Sequence, residues 1–344
     1  MTKSITDLPI KAGIVGTGFA AKLRAQTLQA DSRSHLVAVC GHTPAKTQVF
    51  AETHGTTVVD SWQQLVEHPE LDLVFISTIN RDHGTIARAA LNAGKHVVTE
   101  YPLSLDPKEA ESLITLAKAK GKLLHVEHIE LLGGLHQALR QSLPQIGQPV
   151  YARYVTIAPK HPAPRGWTFN MELFGFPFIG ALSRIHRFTD LFGEVASVYC
   201  QSQFWDAGDQ YFTACLCNAQ LRFTSGLIAD ITYGKGEMFR QRLRNFEVHG
   251  DQGTLLFEGD QGNLIKGEEI KPIEVAGRRG LFLKDTAMVI DHLVKGTPLY
   301  VSTVASCYTL KVADALRQSA ATGNAIALSG SLASSRSVTK GQSL

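Results

Sequence analysis

Lys11-Ala12-Gly13-Ile14-Val15-Gly16-Thr17-Gly18-Phe19-Ala20-Ala21 is the stretch that decides the fold of the first part of this 344-residue chain. Lys11–Gly16 reads as a buried strand, a G-x-G-x-x-A turn covers 16–21, and a helical pattern follows near 20–30. Gly16 permits the tight turn and Gly18 lets the backbone approach a pyrophosphate. The small Ala21 allows close helix–strand packing, and the helix N-terminus offers free N–H groups to an anion. Gly16, Gly18, Phe19 and Ala20 are therefore candidate cofactor-binding residues. Outward from this turn, His35–Cys40, Asp72–Thr78, Lys95–Thr99 and Lys122–Val126 read as further strands, with helical patterns near 44–54, 83–93 and 107–120. Short apolar strands alternating with helices predict parallel strands with right-handed crossovers, an α/β Rossmann doubly wound sheet.

The end of the second strand normally supplies an acid to the adenine ribose of NAD. Here Cys40-Gly41-His42-Thr43-Pro44-Ala45-Lys46 holds none, and no acid occurs between Asp31 and Glu52. His42, Thr43 and Lys46 form a neutral-to-basic pocket that tolerates a 2′-phosphate. NADPH is thus the expected cofactor, with NADH the less favoured alternative.

From Val150 the apolar period becomes mostly two. Strands are read at Val150–Ile157, Val195–Phe204, Phe212–Asn218, Gly226–Tyr233, Arg244–Gly250 and Thr254–Glu258, with hairpin chemistry at Asp251-Gln252-Gly253 and Asp260-Gln261-Gly262. Helices are expected near 180–191 and 303–321. This predicts a C-terminal α+β domain built on a mostly antiparallel sheet. The expected organisation is a Rossmann dinucleotide-binding domain at 1–126, a substrate domain at 127–328 and a disordered Ser-rich tail at 329–344.

Composition excludes several classes of partner. Lys+Arg 34 against Asp+Glu 31 leaves +3, too little for a nucleic-acid or membrane-surface protein. The surplus sits entirely in the second half: residues 1–145 carry 14 basic and 14 acidic groups, residues 146–344 carry 20 and 17. No apolar run is long enough to span a membrane, and no secretory signal opens the chain. Five scattered cysteines point to reduced thiols and a cytoplasmic protein. His125-x-x-His128 has metal-like spacing but no evident third ligand, so no metal is expected.

Thr78-Ile79-Asn80, His83, Ala93-Gly94-Lys95-His96-Val97 and Glu100-Tyr101-Pro102-Leu103 resemble the Gfo/Idh/MocA oxidoreductases, which join a Rossmann domain to an antiparallel α/β substrate domain. The resemblance places Thr78, Asn80, His83, Glu100 and Tyr101 at the cofactor. Two departures stand out. The family's E-K-P reads Glu100-Tyr101-Pro102, and its D-x-G-x-H-x-x-D-L helix reads Ser183-Arg184-Ile185-His186-Arg187-Phe188-Thr189-Asp190-Leu191. Anchored on Asp190-Leu191, the usual acid is Ser183 and the usual histidine is Arg187. His186 is one residue off, which rotates it by about 100° on a helix. A carbinol dehydrogenase needs a base for the hydroxyl proton, and the lysine, acid and histidine are all replaced.

Within that family the same departures resemble the biliverdin reductases of the cyanobacterial type. Leu124–Gly134, Phe174-Gly175-Phe176-Pro177, Ser183–Gly193, Tyr233-Gly234-Lys235-Gly236-Glu237 and Arg278–Phe282 carry the likeness. It implies NADPH-dependent reduction of biliverdin at its central methine carbon. That step needs a hydride on carbon and a proton on nitrogen, so no carbinol base is called for. The tetrapyrrole is flat and apolar with two propionates, so its pocket should join aromatic faces to a few cations. Arg184, Tyr101 and Arg187 are the candidate catalytic residues, Arg184 dominating turnover and Tyr101 shaping the site. Glu127, His128, Glu130, Trp167, Phe176, Arg184, Arg187 and Lys235 are the candidate substrate contacts. Tyr101–Pro102 is a candidate cis peptide. The protein is expected to be a monomer or homodimer. Two alternatives remain open: a sugar, polyol or dihydrodiol dehydrogenase of the same fold, and a non-catalytic NADP- or bilin-binding regulator.

Overall fold

The apolar runs of the first third are short and buried on both faces, as parallel strands under helices must be. The computed structural model describes residues 9–206 and 208–328, so the expected tail at 329–344 lies outside the described residues. Strands β1 (Ile10–Val15), β2 (Ser34–Cys40), β3 (Thr57–Val58), β4 (Leu73–Ile76), β5 (His96–Thr99) and β6 (Leu124–Val126) form one sheet in the order 3-2-1-4-5-6. Every pairing in it is parallel. This is the doubly wound order whose carboxyl edge collects ligands. Helices α1 (Phe19–Ala30), α2 (Pro44–His54), α3 (Trp62–Glu67), α4 (His83–Asn92) and α5 (Pro107–Lys120) connect the strands.

Contacts divide the chain at 129/130, and residues 279–307 return to the first unit. The sequence reading instead ran the second domain unbroken from 127 to 328. The reason is a helix it missed, α10 (Leu281–Lys295). Its Val289, Ile290 and Leu293 join Ala21, Ala25 and Leu28 of α1 in the apolar cluster over β1, β2 and β4. A carboxylate, Asp285, interrupts the apolar period of α10 and hides the pattern.

In the second unit, α6 (Gly134–Ser142), α7 (Met171–Phe174), α8 (Pro177–Gly180), α9 (Ser183–Phe192) and α11 (Thr303–Thr322, shared across the division) accompany β7 (Pro149–Pro159), β8 (Val195–Trp205), β9 (Ala214–Phe223), β10 (Ile228–Gly236), β11 (Leu243–Gly250), β12 (Gly253–Glu258), β13 (Gln261–Lys266), β14 (Glu269–Glu274) and β15 (Ile326–Ala327). The nine-stranded sheet runs 14-13-12-11-7-10-9-8-15 and is antiparallel apart from the parallel pairing of β7 with β10. The sequence reading stopped at β12. The outer strand β14 is exposed at almost every position and contains Pro272, so it lacks an apolar alternation.

Candidate active site

The phosphate-binding turn is built for an anion. Gly16 sits at φ +118°, and a Cβ there would lie 2.1 Å from the Ser77 carbonyl oxygen, so no other residue fits. Gly18 caps α1 in an extended conformation, and a Cβ there would meet nothing within 4 Å. The first turn of α1 holds no acid. The residues present therefore offer a vacant approach and unopposed N–H dipoles to a pyrophosphate. At the end of β2, Thr43 caps α2, whose first turn is also free of acids, and His42, Thr43 and Lys46 are all exposed. Phe19 is 75% exposed and meets Phe282 of α10 edge-on at 6.1 Å.

Behind the turn lies a buried ionic network that the sequence reading did not find. Arg24 is fully buried, its guanidinium between Phe75 (5.2 Å) and Phe282 (5.4 Å). Its Nε donates to Glu100 Oε1 at 2.7 Å, and its Nη1 donates to Asp285 Oδ2 at 2.7 Å and Thr286 Oγ1 at 3.0 Å. Asp285 Oδ1 also meets His125 Nε2 and accepts from the Tyr300 hydroxyl, both at 2.8 Å. Arg24 and His125 hold Asp285 well below the usual carboxylate range despite its burial. One signal in the sequence marks this network. Arg24 stands within the buried stripe Ala21, Arg24, Ala25, Leu28, and Asp285 within Leu281, Asp285, Val289, Leu293. A charge inside the apolar face of a helix must find a partner.

The other residues expected at the cofactor fall into two groups. Thr78 and Tyr101 are half-buried at the carboxyl edge of β4 and β5, beside the buried Asn80. Glu100 accepts from Ser77 Oγ at 3.2 Å as well as from Arg24. The Tyr101–Pro102 peptide is cis. His83 lies deeper. It is fully buried, with Nδ1 2.7 Å from the Pro102 carbonyl and Nε2 3.2 Å from the Thr78 carbonyl. Burial lowers its pKa, so the ring is neutral and its single N–H donates to one of the two carbonyls at a time.

Glu127 and His128, expected as substrate contacts, are both buried. The Glu127 carboxyl is buried and accepts from Ile129 N at 2.5 Å, and Glu127 follows β6 beside Glu100, since Val126 pairs with Thr99. Burial and the nearby Glu100 charge push its pKa well above the ordinary carboxyl range. His128 is fully buried, with Nε2 2.8 Å from Ser306 Oγ and its backbone N–H on the Tyr300 hydroxyl at 2.9 Å. Its ring stacks on Tyr101 at 5.3 Å and 7°, so it backs Tyr101 from within the protein.

In the second unit, helix α9 separates its two arginines. Arg184 is half-buried, lies over the Tyr233 ring at 5.3 Å and donates from Nη1 to Ser183 Oγ at 3.0 Å. Arg187 is 2% exposed and donates from Nη2 to Glu130 Oε2 at 2.5 Å, while Arg278 takes the other Glu130 oxygen. The expected carboxylate receptor Arg187 thus pairs with a carboxylate of its own chain, Glu130. His186 is buried, and burial drives its pKa down to about 3, so it is no general base at neutral pH.

Trp167 remains accessible at 37% exposure and packs on Phe174 at 5.8 Å, whereas Phe176 is buried against Phe178 at 6.2 Å. Lys235 lies among these rings. It is 6% exposed, with Nζ 4.2 Å from the Phe174 centroid, 4.6 Å from Phe169 and 5.2 Å from Phe212, and it donates to the Thr168 carbonyl. These contacts make it a support for the aromatic segment. Among the described residues no cluster of metal-ligating side chains occurs.

Residues 10–128 match the oxidoreductase family, NAD-binding Rossmann fold, and residues 143–328 match the oxidoreductase family, C-terminal alpha/beta domain. The chain belongs to the GFO_IDH_MocA oxidoreductase family. Within it, the structure is similar to a biliverdin reductase from Synechocystis sp. PCC 6803, solved in complex with biliverdin and NADP+. That protein is 54% identical, with a TM-score of 0.90 over 91% of this chain and 99% of that one. Biliverdin reductase A of Mus musculus is 26% identical over 281 residues, covering 82% of this chain and 85% of its own. The 1,5-anhydro-D-fructose reductase of Ensifer adhaerens is 29% identical over 205 residues, 58% of this chain and 60% of its own. No described helix is long and apolar enough to cross a membrane.

Proposed function

We infer that this GFO_IDH_MocA oxidoreductase is an NADPH-dependent biliverdin reductase, converting biliverdin at its central methine bridge to bilirubin. The observation that carries the reading is the 54% identity across 91% of the chain to a biliverdin reductase holding biliverdin and NADP+. The chemistry of the residues agrees with it. A carbinol dehydrogenase would need a base, yet Tyr101 stands where the family has lysine, and His186 is buried and, with its pKa lowered to about 3, too weakly basic.

The Gly16–Ala20 turn would hold the pyrophosphate of NADPH, with His42, Thr43 and Lys46 accepting its 2′-phosphate and Thr78, Asn80, Glu100 and Tyr101 at its nicotinamide end. When bound, this cofactor supplies the hydride for the methine carbon. Arg184 stabilises negative charge on the bilin by charge-assisted hydrogen bonding. A guanidinium with pKa above about 12 does not surrender a proton, so the pyrrole proton comes from water ordered beside it. Arg187 keeps Arg184's helix anchored through Glu130 and acts on turnover only by positioning. Trp167 offers an aromatic face to the tetrapyrrole, and Tyr101 walls the cofactor side. The five cysteines are all free and buried, which supports a cytoplasmic setting.

The test is direct. Purified protein is mixed with biliverdin and NADPH, and conversion from blue-green to yellow is followed for the wild type, Arg184→Ala and Tyr101→Phe. Turnover by the wild type, its collapse in Arg184→Ala and its survival in Tyr101→Phe support the reading. A polyol dehydrogenase activity without bilin turnover would overturn it.

A further inference from the structure

The cluster behind Tyr101 contains more acid than base. Glu100, Glu127 and Asp285 converge on a single guanidinium, that of Arg24. Asp285 has its full complement of donors in Arg24, His125 and Tyr300. Glu100 takes Arg24 and Ser77, and beside it at the end of the neighbouring parallel strand is Glu127, whose N–H donates to Thr99 O at 2.8 Å and whose carboxyl is anchored on Ile129 N. Two neighbouring carboxylates, that of Glu127 buried, repel and have no hydrogen to share, so the Glu100–Glu127 pair favours holding one proton. With Arg24 positive and Glu100 and Asp285 negative, that proton leaves the carboxyls and guanidinium of the cluster at one net negative charge instead of two.

We propose that the Glu100–Glu127 pair couples nucleotide oxidation state to proton binding: NADP+ expels the pair's proton and NADPH leaves it in place. The inference rests on the reading above that the nicotinamide end lies at Glu100 and Tyr101, at the carboxyl edge of β5. A cationic oxidised ring there favours the doubly ionised pair, and a neutral reduced ring has no such preference. The balance is simple: protonated protein plus NADP+ gives the complex plus one proton in solvent. The groups facing the pair are Arg24 from α1, Ser77 after β4, His125 from β6 and His128 beyond it, Asp285 and Thr286 from α10, Tyr300, Tyr101 and, behind Pro102, His83 of α4. Arg24 is the one permanent cation among them. The consequence is directional, since mild acid disfavours the spent nucleotide and so eases its exchange for the reduced one.

Isothermal titration of the full chain with NADP+ and with NADPH, in buffers of differing ionisation enthalpy between pH 6 and 9, counts the protons. Both nucleotides carry the same 2′-phosphate, so its own titration cancels in the comparison. NADP+ is expected to release up to one more proton than NADPH, and the ratio of the NADP+ to the NADPH Kd to fall by up to tenfold per pH unit. Glu127→Gln keeps a donor toward Glu100 but has no proton to lose, so its ratio should be flat with pH. Equal proton counts in the wild type, or a difference that persists in Glu127→Gln, would overturn the inference while leaving the cofactor assignment intact. Failure of both nucleotides to bind would overturn the assignment and the inference with it.

Discussion

Lys235 permits a quantitative test of how the aromatic segment is held. Its amine is buried at 6% exposure among Phe174, Phe169 and Phe212. Desolvation lowers its pKa from 10.5 to about 8. At 1.36 kcal/mol per tenfold in protonation, that interval is worth about 3 kcal/mol. The sign follows from proton counting. Between pH 8 and 10.5 the unfolded chain holds a proton on Lys235 that the folded protein lacks, so stability rises with pH. Below pH 8 both states are protonated and the whole penalty is present. Lys235→Met removes it, along with a hydrogen bond to the Thr168 carbonyl worth about 1 kcal/mol. At pH 7 the variant should therefore be at least as stable as the wild type. By pH 10 the wild type should gain about 2–3 kcal/mol on it. Urea unfolding followed by circular dichroism at pH 7, 8.5 and 10 provides the measurement, read as midpoints at constant slope. The difference between the two proteins is the quantity to follow. Burial raises the pKa of Cys200 and Cys215 to about 12 and about 11, and these thiols lower stability with rising pH in both. A difference that stays constant from pH 7 to 10 would refute a desolvated amine at this position.

Three further outcomes are expected. Gly16→Ala, at φ +118° and 2.1 Å from the Ser77 oxygen, should cost at least about 1–3 kcal/mol of stability in thermal unfolding; Gly18→Ala should leave stability unchanged yet raise the NADPH Kd about tenfold, since it fills the vacant approach to α1. Thr43→Asp, a carboxylate at the exposed cap of α2, should raise the NADPH Kd by about tenfold or more and improve NADH binding, read by fluorescence titration. Glu130→Gln leaves the buried Arg187 guanidinium beside a neutral amide and should cost about 2–3 kcal/mol, part of which Glu130→Gln/Arg187→Met regains in the same unfolding assay.

The Rossmann half was legible because its signals are local. Lys11–Gly16 and its turn, the continuous apolar runs of β4 and β5 and the acid-free stretch after β2 each lie within a dozen residues. The return of 279–307 to that half was not legible, because α10 carries Asp285 where an apolar residue would have completed its stripe. That carboxylate is unintelligible without Arg24, 261 residues away. The same distance problem concealed the true duties of His83, Glu127, His128 and Lys235. Residue type marks each as chemically capable, and only the structure shows which buried groups each one touches.

Arg184 and Arg187 show the limit most sharply. They share one helix, one side-chain type and a spacing of three, so any argument from local sequence must treat them alike. What separates them is Glu130, 57 residues earlier, which neutralises Arg187 at 2.5 Å and leaves Arg184 over the Tyr233 ring. A cation with a resident carboxylate is expensive to recruit for a ligand, because the ligand must replace a pair that is already desolvated. Arg184, by contrast, is half-buried, rests on the Tyr233 ring and donates to the Ser183 hydroxyl, contacts that cost less to exchange for a ligand carboxylate. The two variants should therefore fail differently in the bilin assay. Arg184→Met should fold normally and lose turnover, whereas Arg187→Met should lose stability first and turnover only in proportion to unfolding. Equal loss of kcat in both, with both fully folded, would mean that Arg187 leaves Glu130 to meet the substrate.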